Sequence, residues 1–422
     1  MSRWSRISPI PPPGELRTLS LATLTNTVGS GLWLTGGALY LTRDVGLSPA
    51  SVGAGLTLAG LVGLTASVPL GALADRRDPR TLRALVQLGQ AAAAAAYLLV
   101  DSFPAFLAVA VLEMLLASGN LAVRAALVAA VAGPRGRVRA FATLRAVANL
   151  GIAVGAGLAG LALAADSHLA YQALVAGNAL TYLLSAALLL RLPACPPAPH
   201  GPGSRWRDGR SGAALRDVRF VAVSGASAVL ALHWTLLALV VPLWTVTRAG
   251  APPPVVSAVL LTNTVLTVLL AVRLSRGADD ATRAARSMRR AGLVLAAAML
   301  LYAATAGLAP AASVTLLLAA TAVYTFGDLW HGTAGAGLAY GLAPPDAIGA
   351  YQGVDGMLAG LSRAIGPALL TLLVLDGGVP GWLAVGAVFA GVGLATPALT
   401  RWALANREPA RPVAGDRPAA SV

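Results

Sequence analysis

Residues 71–80 read GALADRRDPR, a charged decapeptide lying between two apolar runs, 51–74 and 81–100. An apolar run of about 20 residues is the length of helix that crosses a bilayer. A short Arg-rich break between two such runs reads as a turn at the membrane surface. Working outward, the same alternation predicts twelve spans: 17–41, 51–74, 81–100, 104–131, 141–164, 169–191, 218–246, 254–274, 288–309, 312–339, 352–374 and 379–402. Within 81–131 only Asp101, Ser102 and Pro104 mark the division. The first apolar stretch, Leu16 to Leu41, is too long for the apolar part of a cleaved signal and reads as an uncleaved span.

Composition agrees with a solvent of lipid. The 422 residues are 57% hydrophobic and 11% charged, against roughly 25% charged in soluble domains. The net charge of +14 comes from 31 basic residues, all Arg. With the N-terminus inside, the N-tail, 75–83, 135–145, 191–219, 273–290 and the C-tail carry 27 of these Arg. The outer loops carry Arg43 and Arg248, and Arg124 and Arg363 fall within spans. That asymmetry predicts both termini in the cytoplasm and assigns the positive charge to topology and lipid headgroups, not to nucleic acid. The absence of Lys, with abundant Ala, Gly and Pro, suits a bacterial plasma membrane protein.

The chain reads as two pseudo-symmetric six-helix bundles, 1–191 and 218–402. A Pro-, Gly- and Arg-rich cytoplasmic linker, 192–217, joins them, and a disordered cytoplasmic tail, 403–422, follows. Thr42-Arg43, Pro49 and Asp75 recur as Thr247-Arg248, Pro254 and Asp280 at an offset of 205. Pro134 and Ala140 recur as Pro344 and Ala350 at 210. Parallel repeats of this kind bind substrate near the midplane between the halves.

The GALADRRDPR stretch, a Gly followed four residues on by an Asp and then by Arg, closely resembles the loop 2–3 signature of the major facilitator superfamily. Gly71 permits close helix approach. Asp75, beside Arg76, Arg77 and Arg80, can pair with an Arg of a neighbouring helix end or sit at a helix N-terminus. The resemblance implies a gating role for this loop. Asp355, near the inner end of span 11, is expected to face it. The copy at 276–280 keeps the acid but lacks the leading Gly. Span 5, with Gly151, Gly155, Gly157 and Gly160, resembles the antiporter signature of the twelve-helix drug–proton exporter branch. It lacks the usual Gly-Pro pair, which occurs instead at Gly366-Pro367, and the branch's Arg early in span 4 is missing.

Ionisable groups at bilayer depth cost about 2.5–3.5 kcal/mol each on insertion scales, so each asks for a partner or a wet cavity. In span 4, Glu113, Ala117, Asn120 and Arg124 share one helical face. Tyr324, Asp328, His331 and Gly335 do so in span 10, and Asn26, Ser30, Trp33 and Gly37 in span 1. In span 7, His233, Leu237, Val240 and Trp244 share a face, with Trp234 alongside. Spans 1, 4, 7 and 10 line the central cavity in the family this chain resembles. Asp328, Glu113 and His331 are therefore the proton-coupling candidates. Asn26, Ser30, Trp33, Asn120, Arg124, His233, Trp234, Tyr324 and Arg363 are the substrate-cavity candidates. Arg363, at the depth of Asp328, is the alternative: a static partner that would hold the acid ionised.

No phosphate-binding Gly-rich loop ending in Lys occurs, four scattered His suggest no metal site, and a lone Cys195 excludes an internal disulfide. The expectation is a monomeric secondary transporter with no cofactor, not an enzyme. It exports small organic molecules in exchange for protons, with nutrient import or a non-transporting scaffold as the alternatives.

Overall fold

A computed structural model describes residues 14–165, 167–196, 213–252, 254–274 and 280–405. Twelve long helices make up the fold: α1 Glu15–Leu39, α2 Ser51–Arg76, α3 Pro79–Leu99, α4 Phe103–Gly133, α5 Gly136–Ala165 and α6 His168–Leu189 form the first half. The second half comprises α7 Val218–Thr247, α8 Pro254–Leu274, α9 Ala281–Ala303, α10 Pro310–Gly341, α11 Ile348–Asp376 and α12 Gly378–Leu404. Among the described residues nine of these are long and apolar enough to cross a membrane. In α8 the apolar segment is the shorter Val255–Ala271.

Leu161, Leu169, Leu261 and Leu372 are 63–76% exposed, as expected where the surrounding solvent is lipid rather than water. Inside, small residues let backbones meet: a Cβ on Gly155 would overlap the Val28 carbonyl of α1, and one on Gly31 the Ile152 carbonyl of α5. The second half is held by large buried rings, with Trp382 stacked on Tyr302 at 5.3 Å and edge-on to Trp244 at 5.6 Å.

Two boundaries differ from the sequence reading. The turn between α4 and α5 is not the predicted segment 135–145. Gly133 adopts φ 63° and, with Pro134 behind it, breaks the helix within two residues. Arg137, Arg139 and Arg145 therefore lie in α5. Helix α9 begins at Ala281 rather than 288. Asp280 caps it by accepting a bond from Arg283 N at 3.0 Å. Asp78 does the same for α3, accepting from Arg80 N at 2.9 Å. In this structure Asp280 thus performs the task of Asp78, although the offset of 205 pairs it with Asp75. The predicted linker is described only at its ends, where Ala213–Arg216 forms a helical turn. Residues 197–212, the 276–279 part of the second loop copy and the tail from 406 lie outside the described residues.

Candidate functional site

Helix α10 presents Tyr324, Asp328 and His331 on one face, all buried. Opposite them α7 is irregular. It has a break at Ala231, where Trp234 N bonds back to Ala231 O at 3.0 Å, and a π-helical stretch, Leu236–Val240. Such local departures re-aim side chains. Here they let consecutive residues, His233 and Trp234, both reach α10.

Asp328 is the centre of the site. Its two oxygens accept from Arg145 Nη2 of α5 at 2.6 and 2.8 Å, and Oδ1 also accepts from Trp234 Nε1 at 2.9 Å. His233 Nε2 lies 3.6 Å from the same oxygen. Arg145 belongs to the first half and Asp328 to the second, so this ion pair ties the halves together near mid-depth. Room for the guanidinium comes from Gly332, one turn beyond Asp328, where a Cβ would overlap Arg145 Nη1.

Beside the ion pair runs a hydrogen-bonded chain. Tyr324 Oη lies 2.6 Å from His233 Nδ1 and 3.0 Å from the His233 carbonyl. His233 Nε2 lies 3.0 Å from His331 Nδ1, and His331 Nε2 lies 3.1 Å from the Ser227 carbonyl. His331 Nε2 also lies 3.2 Å from Ser227 Oγ. Where it donates to the Ser227 carbonyl and both rings are neutral, His233 Nε2–H donates to His331 Nδ1, and Tyr324 O–H donates to His233 Nδ1.

The expected partner of Asp328 is corrected: Arg363 is exposed on α11, and Arg145 occupies that role. Sequence reasoning missed Arg145 because it was counted with the loop. The signals were available: it lies five residues inside the apolar stretch that starts at Ala140, and the offset of 210 pairs it with Asp355. Ser227 and Gly332 carried no signal of their own.

In the α4 stripe Glu113 and Asn120 turn into the first half, not toward the shared crevice, whereas Arg124 also lies near Tyr340 of α10. Glu113 accepts from Tyr97 Oη of α3 at 2.8 Å, and Asn120 Nδ2 donates to Gln90 Oε1 of α3 at 2.9 Å. Arg124, one turn further along α4, lies close to Arg83 of α3. On α1, Trp33 packs against Tyr97 at 4.5 Å with the rings tilted by 34°. Ser30 bonds back to the Asn26 carbonyl at 3.2 Å, and Asn26 Oδ1 is buried without a partner.

The loop after α2 meets the other half. Asp75 accepts from Gly349 N at 2.6 Å and Ala350 N at 2.9 Å, at the N-terminus of α11. Of the two arrangements open to this acid, the helix-terminus one is realised, and the helix dipole favours its charge. Gly71 is necessary here, because a Cβ on it would overlap the Gly349 carbonyl. Tyr340 Oη adds a bond to the Ala125 carbonyl at 3.1 Å. Arg76 and Arg77 are exposed beside Asp75. Arg80 instead serves its own half, donating to the Leu192 carbonyl at 2.7 Å. Asp355 lies beside Ser224 of α7 rather than facing this loop. These contacts close the side that carries both described ends. A cavity of about 390 Å³ remains there, lined by Asp75, Pro79, Ala126, Arg137, Cys195 and Asp346 among others.

Three comparisons bear on this arrangement. The sequence model described as Major Facilitator Superfamily matches residues 19–288. No curated protein matches. Among solved structures, the human organic anion transporter MFSD10 (TETRAN) is similar with TM-score 0.65 and 18% identity, over 91% of this chain and 98% of that one. The proton:xylose symporter XylE gives 0.61 and 14%, over 90% and 94%. A bacterial homologue of the iron transporter ferroportin, in an outward-facing state, gives 0.68 and 13%, over 93% and 100%. At these identities the likeness is one of fold.

Proposed function

The chain belongs to the Major Facilitator Superfamily, and from that premise we propose that it exports small organic molecules in exchange for protons by alternating access. Members of this family are transporters of small molecules in a lipid bilayer and not enzymes. The proposal includes a monomer in a bacterial plasma membrane with both termini cytoplasmic, as the Arg asymmetry suggests.

One observation carries the coupling: the Tyr324–His233–His331–Ser227 chain has two complete hydrogen-bond patterns that differ by one proton. The neutral pattern is the one given above. When His331 takes up a proton, its Nδ1–H donates to His233 Nε2. His233 Nδ1–H then donates to Tyr324 Oη, and Tyr324 O–H turns to the His233 carbonyl. No buried polar group loses its partner in either pattern, which avoids the usual cost of an unsatisfied donor or acceptor. Asp328 of α10 and Arg145 of α5 face this chain with opposite charges, and Asp355 of α11 lies beside Ser224, one turn from Ser227.

The added charge arises beside Asp328 and competes with Arg145 for its carboxylate. Protonation thereby loosens the tie between the halves. Each proton crossing the full field is worth about 2.3 kcal/mol per 100 mV. The close glycine seam between α5 and α1 supports the exporter reading, since it supplies the packing that the antiporter signature provides. Asn26, with its unpartnered Oδ1, and the half-buried Trp234 are the groups offered to substrate.

Proteoliposomes with an imposed pH gradient test the proposal. Wild-type flux of an exported dye should follow the gradient, and Asp328→Asn should lose that dependence while keeping substrate exchange. Wild-type flux indifferent to the gradient would reject proton coupling, and gradient-driven accumulation on the side of the termini would reject export.

A further inference from the structure

Away from the ion pair, the interior of the first half holds positive charge that no described residue neutralises. Arg83 of α3 is 0% exposed, and its Nε and Nη1 are buried without a hydrogen-bond partner. Gln87, one turn along the same face, is also 0% exposed, and both polar atoms of its amide lack a partner. The Arg124 guanidinium of α4 is near enough to repel Arg83. Among the described residues no carboxylate lies in ion-pair range of either Arg. Glu113, on the same helix as Arg124, is 11 residues away, about 16 Å along the axis, and is held by Tyr97.

A fully buried Arg83 beside a half-buried Arg124, without a counter-charge among the described residues, is unfavourable in an apolar interior. Water would satisfy the hydrogen bonds but leave both charges uncompensated. We propose that Arg83, Gln87 and Arg124 hold a small inorganic monoanion of the chloride class between α3 and α4. Two guanidiniums and an amide N–H₂ supply convergent donors and net positive charge, which is the chemistry such an anion requires. Full burial of Arg83 and Gln87 excludes a lipid phosphate and any bulky carboxylate. The 390 Å³ cavity on the side of the termini, which none of the three residues lines, ends one turn from them and is the route the proposal assigns. Its lining includes Pro79, one turn before Arg83 on α3, and Ala126, Ala129 and Ala130 of α4. The site is structural, and it stands independently of the transport direction and of proton coupling.

The test uses full-length protein in detergent. Its thermal unfolding midpoint is followed as sodium chloride replaces sodium gluconate at constant ionic strength, gluconate being too large to enter. Wild type should show a saturable rise of several degrees, because a ligand bound only by the folded state stabilises it. Sodium bromide should reproduce the rise. Arg83→Met should be insensitive to chloride. Gln87→Leu, which keeps both charges, should need about tenfold more chloride for half the effect, the consequence of losing one hydrogen bond to an ion, and this variant decides the matter if Arg83→Met does not fold. No difference between chloride and gluconate in wild type, or an unchanged chloride response in Gln87→Leu and in any folded Arg83→Met, would overturn the site.

Discussion

Glu113 and Asp328 look alike along the chain and are used differently in space. Each is a lone acid within a long apolar helix, on a face shared with other polar residues. Glu113 meets a neutral Tyr97 from its own half, inside one bundle. Asp328 meets a cation from the other half, the indole N–H of Trp234 and the nearby His233 ring from α7, and a glycine that clears space for the guanidinium. The first acid can stay as it is while the bundles move as rigid bodies. The second cannot, because its partner belongs to the body that moves. Position relative to the interface between halves, more than depth or burial, separates an acid that packs one bundle from one that ties the two together.

The contrast can be broken at four points. The largest effect is expected at the ion pair. Asp328→Asn or Arg145→Met leaves an uncompensated buried charge and should destabilise by about 3–5 kcal/mol. The double variant should recover much of that loss in unfolding titrations in mixed micelles. Next is Gly332→Ala, whose methyl group overlaps Arg145 Nη1. Displacing the guanidinium should cost about 1–3 kcal/mol and reduce gradient-driven flux without removing any charge. Asp75→Asn comes third. It exchanges two charge-assisted bonds at the N-terminus of α11 for weaker ones, a change of up to about 2 kcal/mol. Since 1.4 kcal/mol is about tenfold in population, maleimide labelling of Cys195, which lines the cavity beside Asp75, should accelerate by up to about thirtyfold. The smallest effect is expected from Glu113→Gln, which keeps an acceptor for Tyr97 Oη. It should cost about 1 kcal/mol or less and leave gradient-driven flux intact. A Glu113→Gln variant as impaired as Asp328→Asn would erase the distinction.

Much of this was legible in the sequence because the bilayer enforces it. Helix number and division into halves follow from apolar length and Arg placement, which lipid makes nearly obligatory. The Tyr324, Asp328 and His331 stripe was readable from helical spacing, and its meeting with His233 and Trp234 is a matter of two facing helices. What stayed hidden depended on helix rotation and on the far half. Periodicity shows that Glu113, Asn120 and Arg124 share a face, but not whether that face looks at α3 or at the crevice. Arg145 was obscured by a turn two residues long, which a positive-φ glycine makes possible and a count of polar residues lengthens. Arg363 had the right depth for Asp328 and the wrong rotation. Depth is written along the chain, whereas azimuth is set by packing.

The most direct measurement is the distance between the halves as a function of pH. Spin labels at Asp101→Cys and Leu308→Cys, on the loops opposite the termini, in a Cys195→Ser background report that distance by pulsed electron resonance without need of a substrate. The account predicts that lowering the pH shifts the distance distribution in the labelled parent and in Glu113→Gln, and that the shift disappears in His331→Gln and in Asp328→Asn. A pH response that survives in His331→Gln, or that is lost in Glu113→Gln alone, would contradict it.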